Sequence, residues 1–229
     1  RFTVNQQYAA FKVTTDSVLV GAWADLGSCR TVLDIGTGTG ILALMAAQRS
    51  SAQIVAIEPD RSSFMQAGLN FAASPWHERL TLYNTTIQDY QPDAGLLFDA
   101  IITNPPYFVD SLLNPDEGKA RARHNVSMSY NDIAGAAVRL LAPAGTLNLV
   151  LPGNEAARFT VIASARDLHC FRRLLVRPTP ELPPVRVLMS LKRGAAADCV
   201  ESSMVIEEEG RHQYSDEYVS LTKDFYLKF

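Results

Sequence analysis

Residues 32–40 read VLDIGTGTG, an apolar run that leads directly into three closely spaced glycines. A run of this length is typical of a buried strand, and a helix is expected from Ile41 onward. Glycines at such a turn let the chain bend tightly and bring backbone N–H groups and the helix N-terminus close to a ligand. The stretch therefore predicts a strand–turn–helix unit that binds a ligand at the carboxyl end of a sheet.

Around this unit, short apolar runs alternate with helical stretches, which is typical of a mostly parallel sheet wrapped by helices. Strands are predicted at 31–35, 53–58, 80–83, 98–103 and 146–151, and helices at about 41–49, 61–73 and from Ser129. Ser129 and Asp132 have the spacing of a capping box. Pro143 and Gly145 are expected to end the helix that Ser129 begins.

The last third of the chain predicts a helix at about 155–166 and a hairpin at the sheet edge. The hairpin strands lie near 169–177 and 185–192, residues 204–207 predict a further short strand, and a closing helix starts near Ser215. Apolar residues at helical spacing favour core packing for that helix: Tyr218, Leu221, Phe225 and Phe229.

The length of 229 residues fits one α/β domain, 1–229. We divide it into an N-terminal segment, 1–30, a core, 31–152, and a part with the edge hairpin and closing helix, 153–229. The composition, 47% hydrophobic and 20% charged, excludes extensive disorder. The net charge is −3, so nucleic-acid binding would require positive charge to be concentrated on one face.

No apolar run approaches the roughly 18–20 residues that cross a bilayer, and no signal peptide is seen at the start of the sequence. Cys29, Cys170 and Cys199 are far apart in the sequence and lack C-x-x-C spacing, so they predict neither a zinc site nor a disulfide framework. We expect reduced thiols in a cytoplasmic protein, without a metal and without membrane association.

The glycine spacing indicates the type of ligand. Dinucleotide-binding proteins need G-x-G-x-x-G, whereas here the glycines fall at 36, 38 and 40. This pattern resembles the S-adenosylmethionine loop of class I methyltransferases. Glu58, at the end of the second strand, can accept bonds from both ribose hydroxyls, and Asp34 can orient the loop or meet the cofactor's ammonium group. A glycine turn without a ligand and a nicotinamide-nucleotide site are the alternatives.

A second motif, ITNPPY at 102–107, follows the fourth strand. Its two prolines fix the backbone and stop the strand, which places Asn104 at the strand end. The Asn104 side-chain oxygen and a main-chain carbonyl can accept both N–H groups of an amine and aim its lone pair at an electrophilic methyl. Tyr107 offers a flat face for a planar acceptor. Taken alone, the motif is equally well a rigid turn.

This chemistry needs no catalytic base, because a sulfonium is already a strong electrophile and alignment supplies most of the acceleration. The four histidines form no evident constellation, so surface or packing roles are expected for them: His77, His124, His169 and His212.

The two motifs together resemble those of the bacterial tRNA N6-adenine methyltransferases that act on adenine 37 of a valine tRNA. The resemblance covers nearly the whole chain and includes KVTTD at 12–16, GAWA at 21–24, SPW at 74–76, YS at 214–215 and FYL at 225–227. It implies a class I, Rossmann-like fold: a mostly parallel seven-stranded sheet with an antiparallel edge hairpin and helices on both faces. It also implies that segment 1–30 covers the cofactor.

The resemblance assigns the acceptor role to Asn104, Pro105, Pro106 and Tyr107. It adds Thr14, Thr15 and Asp16 to the cofactor site. The full set of predicted cofactor-binding residues is Thr14, Thr15, Asp16, Asp34, Gly36, Thr37, Gly38, Gly40, Glu58, Thr86, Ile87 and Asn104.

The chain departs from the family at one position after the third strand. Relatives commonly have an Asp there that bonds the adenine amino group of the cofactor, whereas this chain has Thr86. A hydroxyl accepts a bond more weakly than a carboxylate. Ile87 could pack on the adenine ring, and Asp89 could substitute for the acid if the loop is shifted.

Two groups of basic residues are candidates for contacts to RNA phosphates, with an ordinary charged surface as the alternative. The first comprises Lys119, Arg121, Arg123 and His124, partly offset by Asp116 and Glu117. The second comprises Arg172, Arg173, Arg177 and Arg186.

The sequence therefore predicts a cytoplasmic S-adenosylmethionine-dependent tRNA (adenine-N6)-methyltransferase. A protein-glutamine N5-methyltransferase shares the N-P-P-Y motif but normally has an additional helical domain ahead of the cofactor domain. A ribosomal RNA guanine-N2 methyltransferase and an inactive cofactor-binding module are further alternatives; a DNA adenine methyltransferase would need a target-recognition domain. The exact tRNA depends on the resemblance, and the oligomeric state is not determined, with a monomer as the expectation.

Overall fold

The computed structural model describes residues 1–106, 128–194, 198–208 and 210–226. Within them, eight strands form one sheet in the order β3-β2-β1-β4-β5-β7-β6-β8. The strands are β1 Thr31–Ile35, β2 Gln53–Ile57, β3 Leu80–Tyr83, β4 Phe98–Thr103, β5 Leu141–Leu151, β6 Leu168–Arg177, β7 Arg186–Arg193 and β8 Val200–Val205. Among them, β7 alone runs antiparallel to its neighbours.

Helices cover both faces of the sheet. They are α1 Thr15–Trp23, α2 Ile41–Arg49, α3 Arg61–Ala72, α4 Tyr130–Leu140, α5 Gly153–Ser164 and α6 Asp216–Thr222, with a 3₁₀ turn at His77–Arg79. One core layer joins the sheet to α4 and α5 and the other joins it to α1 and α2. Because both faces are covered at the centre of the sheet, β1 and β4 are buried along almost their whole length.

The sheet order places three strand ends side by side. β1 pairs with β2 on one side and with β4 on the other, so the order in which successive strands are added to the sheet reverses between β1 and β4. Ile35 is level with Ile57, and Asp34 is level with Ile102. The segments that follow these strands therefore begin at the same edge, at the reversal point where open α/β sheets bind ligands.

The prediction of an α/β fold with a mostly parallel sheet is confirmed, but the count of seven strands is wrong. β8 pairs in parallel with β6, so the β6–β7 hairpin is not at the edge of the sheet. Strand β8 is exposed except at Met204 and partly at Val205. The short strand predicted at 204–207 overlaps β8 only in its last two residues, because an edge strand with so little burial lacks the apolar run by which sequence patterns reveal strands.

The start of β5 is also earlier than expected. Helix α4 begins with the predicted capping box of Ser129 and Asp132 and ends at Leu140, ahead of Pro143. Strand β5 then starts at Leu141, and its pairing with β4 shifts register between Phe98 and Ala100. Pro143 and Gly145 therefore lie in this irregular strand start and do not end the helix.

In the described part of the chain, no helix has the length and apolar character that crossing a membrane would require.

Candidate active site

The glycine turn between β1 and α2 is held against the end of β2. The backbone N–H groups of Gly36 and Thr37 both donate to the carbonyl oxygen of Ile57, over 3.0 and 3.1 Å. Gly36, Gly38 and Gly40 all have positive φ, at 70°, 57° and 86°. At Gly40, a Cβ would also lie 2.5 Å from the ring of Phe71, so neither the backbone nor the packing tolerates a side chain there.

Asp34 lies beneath this turn and is fully buried. Its Oδ2 accepts hydrogen bonds from the Thr37 hydroxyl and from the backbone N–H of Ala43, while its Oδ1 has no hydrogen-bond partner in the described structure. Burial raises the pKa of this carboxyl group from 3.8 to about 7. Of the two roles expected for Asp34, this geometry fits the orientation of the turn.

Glu58 follows β2 and faces the same turn. Its Oε2 accepts a hydrogen bond from the N–H of Gly38 over 2.8 Å, and its Oε1 accepts one from the N–H of Asp60 over 3.0 Å. The residue is 7% exposed, and burial raises the pKa of its carboxyl group. Each carboxylate oxygen has a second acceptor site, so this side chain can still receive a hydroxyl.

The acceptor motif begins one strand away from the turn. The buried hydroxyl of Thr103, the last residue of β4, donates to the carbonyl oxygen of Ile35 over 2.8 Å. Asn104 and the glycine turn thus leave adjacent strands, whose axes are about 5 Å apart. Pro105 is buried and Pro106 is exposed, and Tyr107 lies outside the described residues.

The start of α1 lies against this motif. Thr14 caps the helix by accepting from the N–H of Ser17, and the Ser17 hydroxyl accepts a hydrogen bond from Nδ2 of Asn104 over 2.9 Å. Asp16 forms an ion pair with Arg186 at the start of β7, over 2.8 Å. Thr14, Thr15 and Asp16 are therefore placed next to the acceptor motif.

The loop after β3 carries Ile87, Thr86 and Asp89. The Ile87 side chain is 3% exposed and packs in the core layer of α4, and its contact with an adenine ring stays a prediction. Thr86 and Asp89 form a pair, in which the Thr86 hydroxyl donates to Asp89 over 2.7 Å. The Thr86 hydroxyl and the Asp89 carboxylate therefore lie side by side in the loop where relatives have a single Asp.

Arg172 and Arg173, which were predicted to contact RNA, both have partners within the protein. The guanidinium of Arg172 lies 3.9 Å from the ring centroid of Trp23 and donates to its carbonyl oxygen. Desolvation lowers the pKa of Arg172, as expected for a partly buried group. Arg173 forms a cross-strand ion pair with Glu201 on β8. Both side chains hold elements of this protein together.

Of the other basic candidates, two have partners within the protein and the rest lie outside the described residues. Arg177 donates to the carbonyl oxygen of Leu182, and Arg186 pairs with Asp16. The first basic cluster lies outside the described residues: Lys119, Arg121, Arg123 and His124.

Sequence reasoning missed three residues at this site. Ser17 and Thr103 hold the acceptor motif by single hydrogen bonds, and the Met128 side chain lies 3.7 Å from where a Cβ on Gly36 would be. A lone hydroxyl or methionine carries no motif, so no signal in a single sequence singles them out.

Two of the three cysteines lie close together in space, although they are 29 positions apart in the sequence. The Sγ atoms of Cys170 and Cys199 are 3.4 Å apart, and both thiols are free. Burial, together with the neighbouring thiol, raises the pKa of Cys170 to about 12.

The arrangement brings a glycine turn with left-handed backbone geometry next to a clamped carboxamide. In the described ranges, no group of three or more His, Cys, Asp or Glu side chains could hold a metal ion. The turn and Glu58 can hold a ligand with ribose hydroxyls, and the carboxamide can orient a second molecule that carries an amine.

Comparison with protein families places this arrangement among known enzymes. Residues 16–161 match the model of the methyltransferase small domain. The chain is 43% identical to a tRNA1(Val) (adenine(37)-N6)-methyltransferase of Parabacteroides distasonis, over 100% of this chain and 96% of the relative. Relatives with the same name occur in Aeromonas hydrophila, at 43% identity with 100% and 95% coverage, and in Trichodesmium erythraeum, at 38% with 100% and 96%.

Solved structures agree on the fold. A predicted O-methyltransferase from Agrobacterium tumefaciens superimposes with a TM-score of 0.69 at 20% identity, covering 91% of this chain and 96% of that one. A putative RNA methyltransferase from Pyrococcus horikoshii gives a TM-score of 0.55 at 14% identity, with 77% and 79% coverage. At such identities the likeness concerns the fold alone.

Proposed function

Because the chain belongs to the methyltransferase small-domain family and to the tRNA1(Val) (adenine(37)-N6)-methyltransferases within it, we propose that it methylates N6 of adenine 37 in a valine tRNA. Full-length identity of 43% to relatives of that name supports the substrate. The chain is an enzyme, and S-adenosylmethionine is its methyl donor.

We assign the cofactor to the glycine turn and its neighbours. The left-handed glycines form a cradle that is open beside Gly38, where a Cβ would meet no atom within 4 Å, and Glu58 stands beside it with acceptor sites for two ribose hydroxyls. Thr86 with Asp89 supplies acceptors for the adenine amino group. S-adenosylmethionine supplies a methyl group that is already electrophilic, so the protein needs no nucleophile of its own.

The protein's task is to position the acceptor. Oδ1 of Asn104 and the carbonyl oxygen of Pro105 are the proposed acceptors for the two N–H groups of the adenine amine. Holding both N–H groups keeps the lone pair out of conjugation with the ring and aims it across the gap between β4 and β1. Tyr107, by the family pattern, provides the face on which the base stacks.

One observation carries the proposal: Asn104 and the glycine turn stand at the ends of paired strands that the Thr103–Ile35 hydrogen bond ties together. Alignment of two reactants at this separation is the main source of acceleration in a reaction without acid or base groups. A single chain bears both halves of the site, which supports a monomer as the active species. A tRNA substrate supports a location in the cytoplasm.

The alternatives differ in their acceptor. A protein-glutamine methyltransferase would also use Asn104, but the names of the relatives support tRNA. A guanine-N2 enzyme acting on ribosomal RNA would present a similar amine. An inactive module would not need Ser17 to hold the Asn104 carboxamide.

The test is methyl transfer from labelled S-adenosylmethionine to total tRNA that lacks the modification, followed by nucleoside mass spectrometry. We expect N6-methyladenosine, and we expect it in an unmodified tRNA1(Val) transcript but not in one with adenine 37 replaced by guanine. Label in protein glutamine or in ribosomal RNA guanine would support the corresponding alternative. Cofactor binding without transfer to any of these substrates would support the inactive module.

A further inference from the structure

Residues 5–10 of the N-terminal segment are held to α3 by hydrogen bonds of their backbone. The N–H of Asn5 donates to Oδ1 of Asn70 over 3.0 Å, and Nδ2 of Asn70 returns a bond to the Asn5 carbonyl over 2.9 Å. The N–H of Tyr8 donates to Gln66 over 3.0 Å, and the N–H of Ala10 donates to Ser63 over 3.2 Å. The path of the segment is therefore fixed by side chains of one helix.

The α3 side chains that hold it form a buried polar stripe. Ser63, Gln66 and Asn70 are 2%, 1% and 1% exposed, and their spacing places them on one face of the helix. Asn70 also donates to the carbonyl oxygen of Thr39 in the glycine turn, over 2.8 Å. The N-terminal segment is thus anchored to the same scaffold as the cofactor turn.

Two aromatic side chains point outward, one within residues 5–10 and one directly after them. Phe11 is 72% exposed and Tyr8 is 57% exposed, whereas Phe2 packs edge-on against Trp76 with 5.8 Å between ring centroids. Met65 and Leu69, one turn apart on α3, are each 57% exposed as well. The hydrogen bond between the N–H of Tyr8 and Gln66 places Tyr8 beside the residue that follows Met65. Large exposed apolar side chains that share one surface mark an interaction site.

The charge of this region favours a polyanion. Residues 1–15 contain Arg1 and Lys12 and no acid, in a chain whose net charge is −3. The next acid along the chain, Asp16, forms an ion pair with Arg186, and Asp60 accepts from the N–H of Ser63 as the cap of α3. Residues 1–15 therefore carry two positive side chains and no negative one, in contrast to the net negative charge of the whole chain.

We propose that Tyr8 and Phe11 form a stacking surface for unpaired nucleotides of the tRNA next to the methylated adenine. This inference rests on the proposed function and adds the surface that holds the substrate. Single-stranded RNA is recognised by aromatic faces on which bases stack, with cations along the backbone. Residues 8–12 combine both features, since Lys12 is exposed while it donates to the carbonyl oxygen of Gln6.

The surface lies within reach of the acceptor site. Phe11 precedes Thr14 by three residues, a span of at most about 10 Å. Thr14 caps the helix whose Ser17 bonds Asn104. A few nucleotides on either side of the target base cover this distance, since each nucleotide adds about 3.4 Å even in a stacked duplex strand.

The experiment measures the affinity of an unmodified tRNA1(Val) transcript by fluorescence anisotropy for Tyr8→Ala, Phe11→Ala, Phe11→Leu and Phe11→Trp. Val161→Ala is the matched control, because Val161 is also 72% exposed and lies on α5, against the opposite core layer. The affinity for S-adenosylhomocysteine, the melting temperature and the sedimentation coefficient are measured on the same proteins.

We expect each alanine variant to weaken tRNA binding about tenfold, the scale of one stacked base. Phe11→Leu should lose as much, since it keeps apolar area without a flat face, and Phe11→Trp should bind like the parent. Cofactor affinity, melting temperature and sedimentation should not change. Val161→Ala should match the parent in every measurement.

Unchanged tRNA affinity in the alanine variants would overturn the inference. A loss of cofactor affinity alone would assign the segment to covering the cofactor, and a changed sedimentation coefficient alone would assign it to contact between copies of the chain; either result also overturns it. If the parent protein itself neither binds nor methylates the transcript, the proposed function fails. If the parent methylates the transcript and the variants bind it as tightly as the parent does, only the stacking surface is refuted.

Discussion

Nδ2 of Asn104 donates a hydrogen bond to Oγ of Ser17 over 2.9 Å, across 87 positions of the sequence. An amide has a donor end and an acceptor end, and this bond places the donor end toward α1. Oδ1 is then the end that lies away from Ser17, as the proposed contact to an amine requires. The contact also joins the segment predicted to cover the cofactor to the motif predicted to hold the acceptor.

Replacing Ser17 by Ala should lower the single-turnover rate of methyl transfer about tenfold, the scale of one neutral hydrogen bond that fixes an orientation. The affinities for cofactor and tRNA should stay within about twofold of the parent, the scatter expected for a change that spares binding contacts. Ser220→Ala, an exposed serine on α6, serves as the control. An unaltered rate would show that the carboxamide is oriented without Ser17.

Replacing Asn104 by Ala should abolish turnover and leave cofactor affinity nearly unchanged, because the side chain is assigned to the acceptor. Asn104→Asp keeps an acceptor oxygen and should retain measurable activity. Calorimetry with S-adenosylhomocysteine and the methyl-transfer assay separate the two effects. A large loss of cofactor binding in the alanine variant would contradict the assignment.

Replacing Asp34 by Asn should flatten the dependence of stability on pH. The pKa of Asp34 is raised from 3.8 to about 7 by burial, so the folded protein retains a proton that the unfolded chain loses near pH 4. This contribution to stability is fully present below about pH 4 and is lost as pH rises through about 7, by at most about 1.4 kcal/mol per pH unit.

Urea unfolding at about pH 5 and about pH 8 measures this difference. The parent should lose more free energy of unfolding between the two conditions than Asp34→Asn does. Equal losses would mean that Asp34 is ionised in the folded protein at both values.

Replacing Gly40 by Ala should weaken cofactor binding and lower stability. The backbone there has φ of 86°, which costs a residue with a Cβ about 1–2 kcal/mol, and the new atom would overlap Phe71. Gly135→Ala is the matched control, since a Cβ added at Gly135 on helix α4 would meet no atom within 4 Å, and it should raise stability by roughly 0.5–1 kcal/mol. Thermal unfolding with and without S-adenosylhomocysteine measures both. A Gly40 variant that binds as the parent does would refute the cradle.

Replacing Arg172 by Ala should lower the melting temperature and leave the tRNA affinity of the remaining folded protein unchanged. The guanidinium packs over Trp23 and donates to its carbonyl, so its loss removes contacts between β6 and α1. Anisotropy with the tRNA transcript checks affinity. A weakened complex at unchanged stability would restore the RNA-binding role that the sequence suggested.

Much of the fold was predictable because its signals are local. The strand ahead of Gly36, the capping box at Ser129 and the prolines after Asn104 each depend on neighbouring residues. Strand β8 was not predictable in full, because an exposed edge strand is stabilised by pairing with β6 and not by an apolar pattern of its own.

The same division applies to the site. Charge and spacing predicted that Arg172 and Arg173 contact RNA, but a sequence shows only that a residue is basic and not which group of the protein it contacts. For a similar reason, only the packed structure shows that the side chain of Ile87 is buried.

The sequence by itself determined the succession of strands and helices from β1 to β7, the glycine turn and the acceptor motif, since these follow from the chemistry of residues adjacent along the chain. Only the tertiary structure decided that Ser17 holds Asn104, that Asp34 accepts hydrogen bonds from the glycine turn and the start of α2, and that Tyr8 and Phe11 face outward. Those relations join residues that are distant in the chain, and a hydrogen bond or a buried face exists only once folding has brought its two partners together.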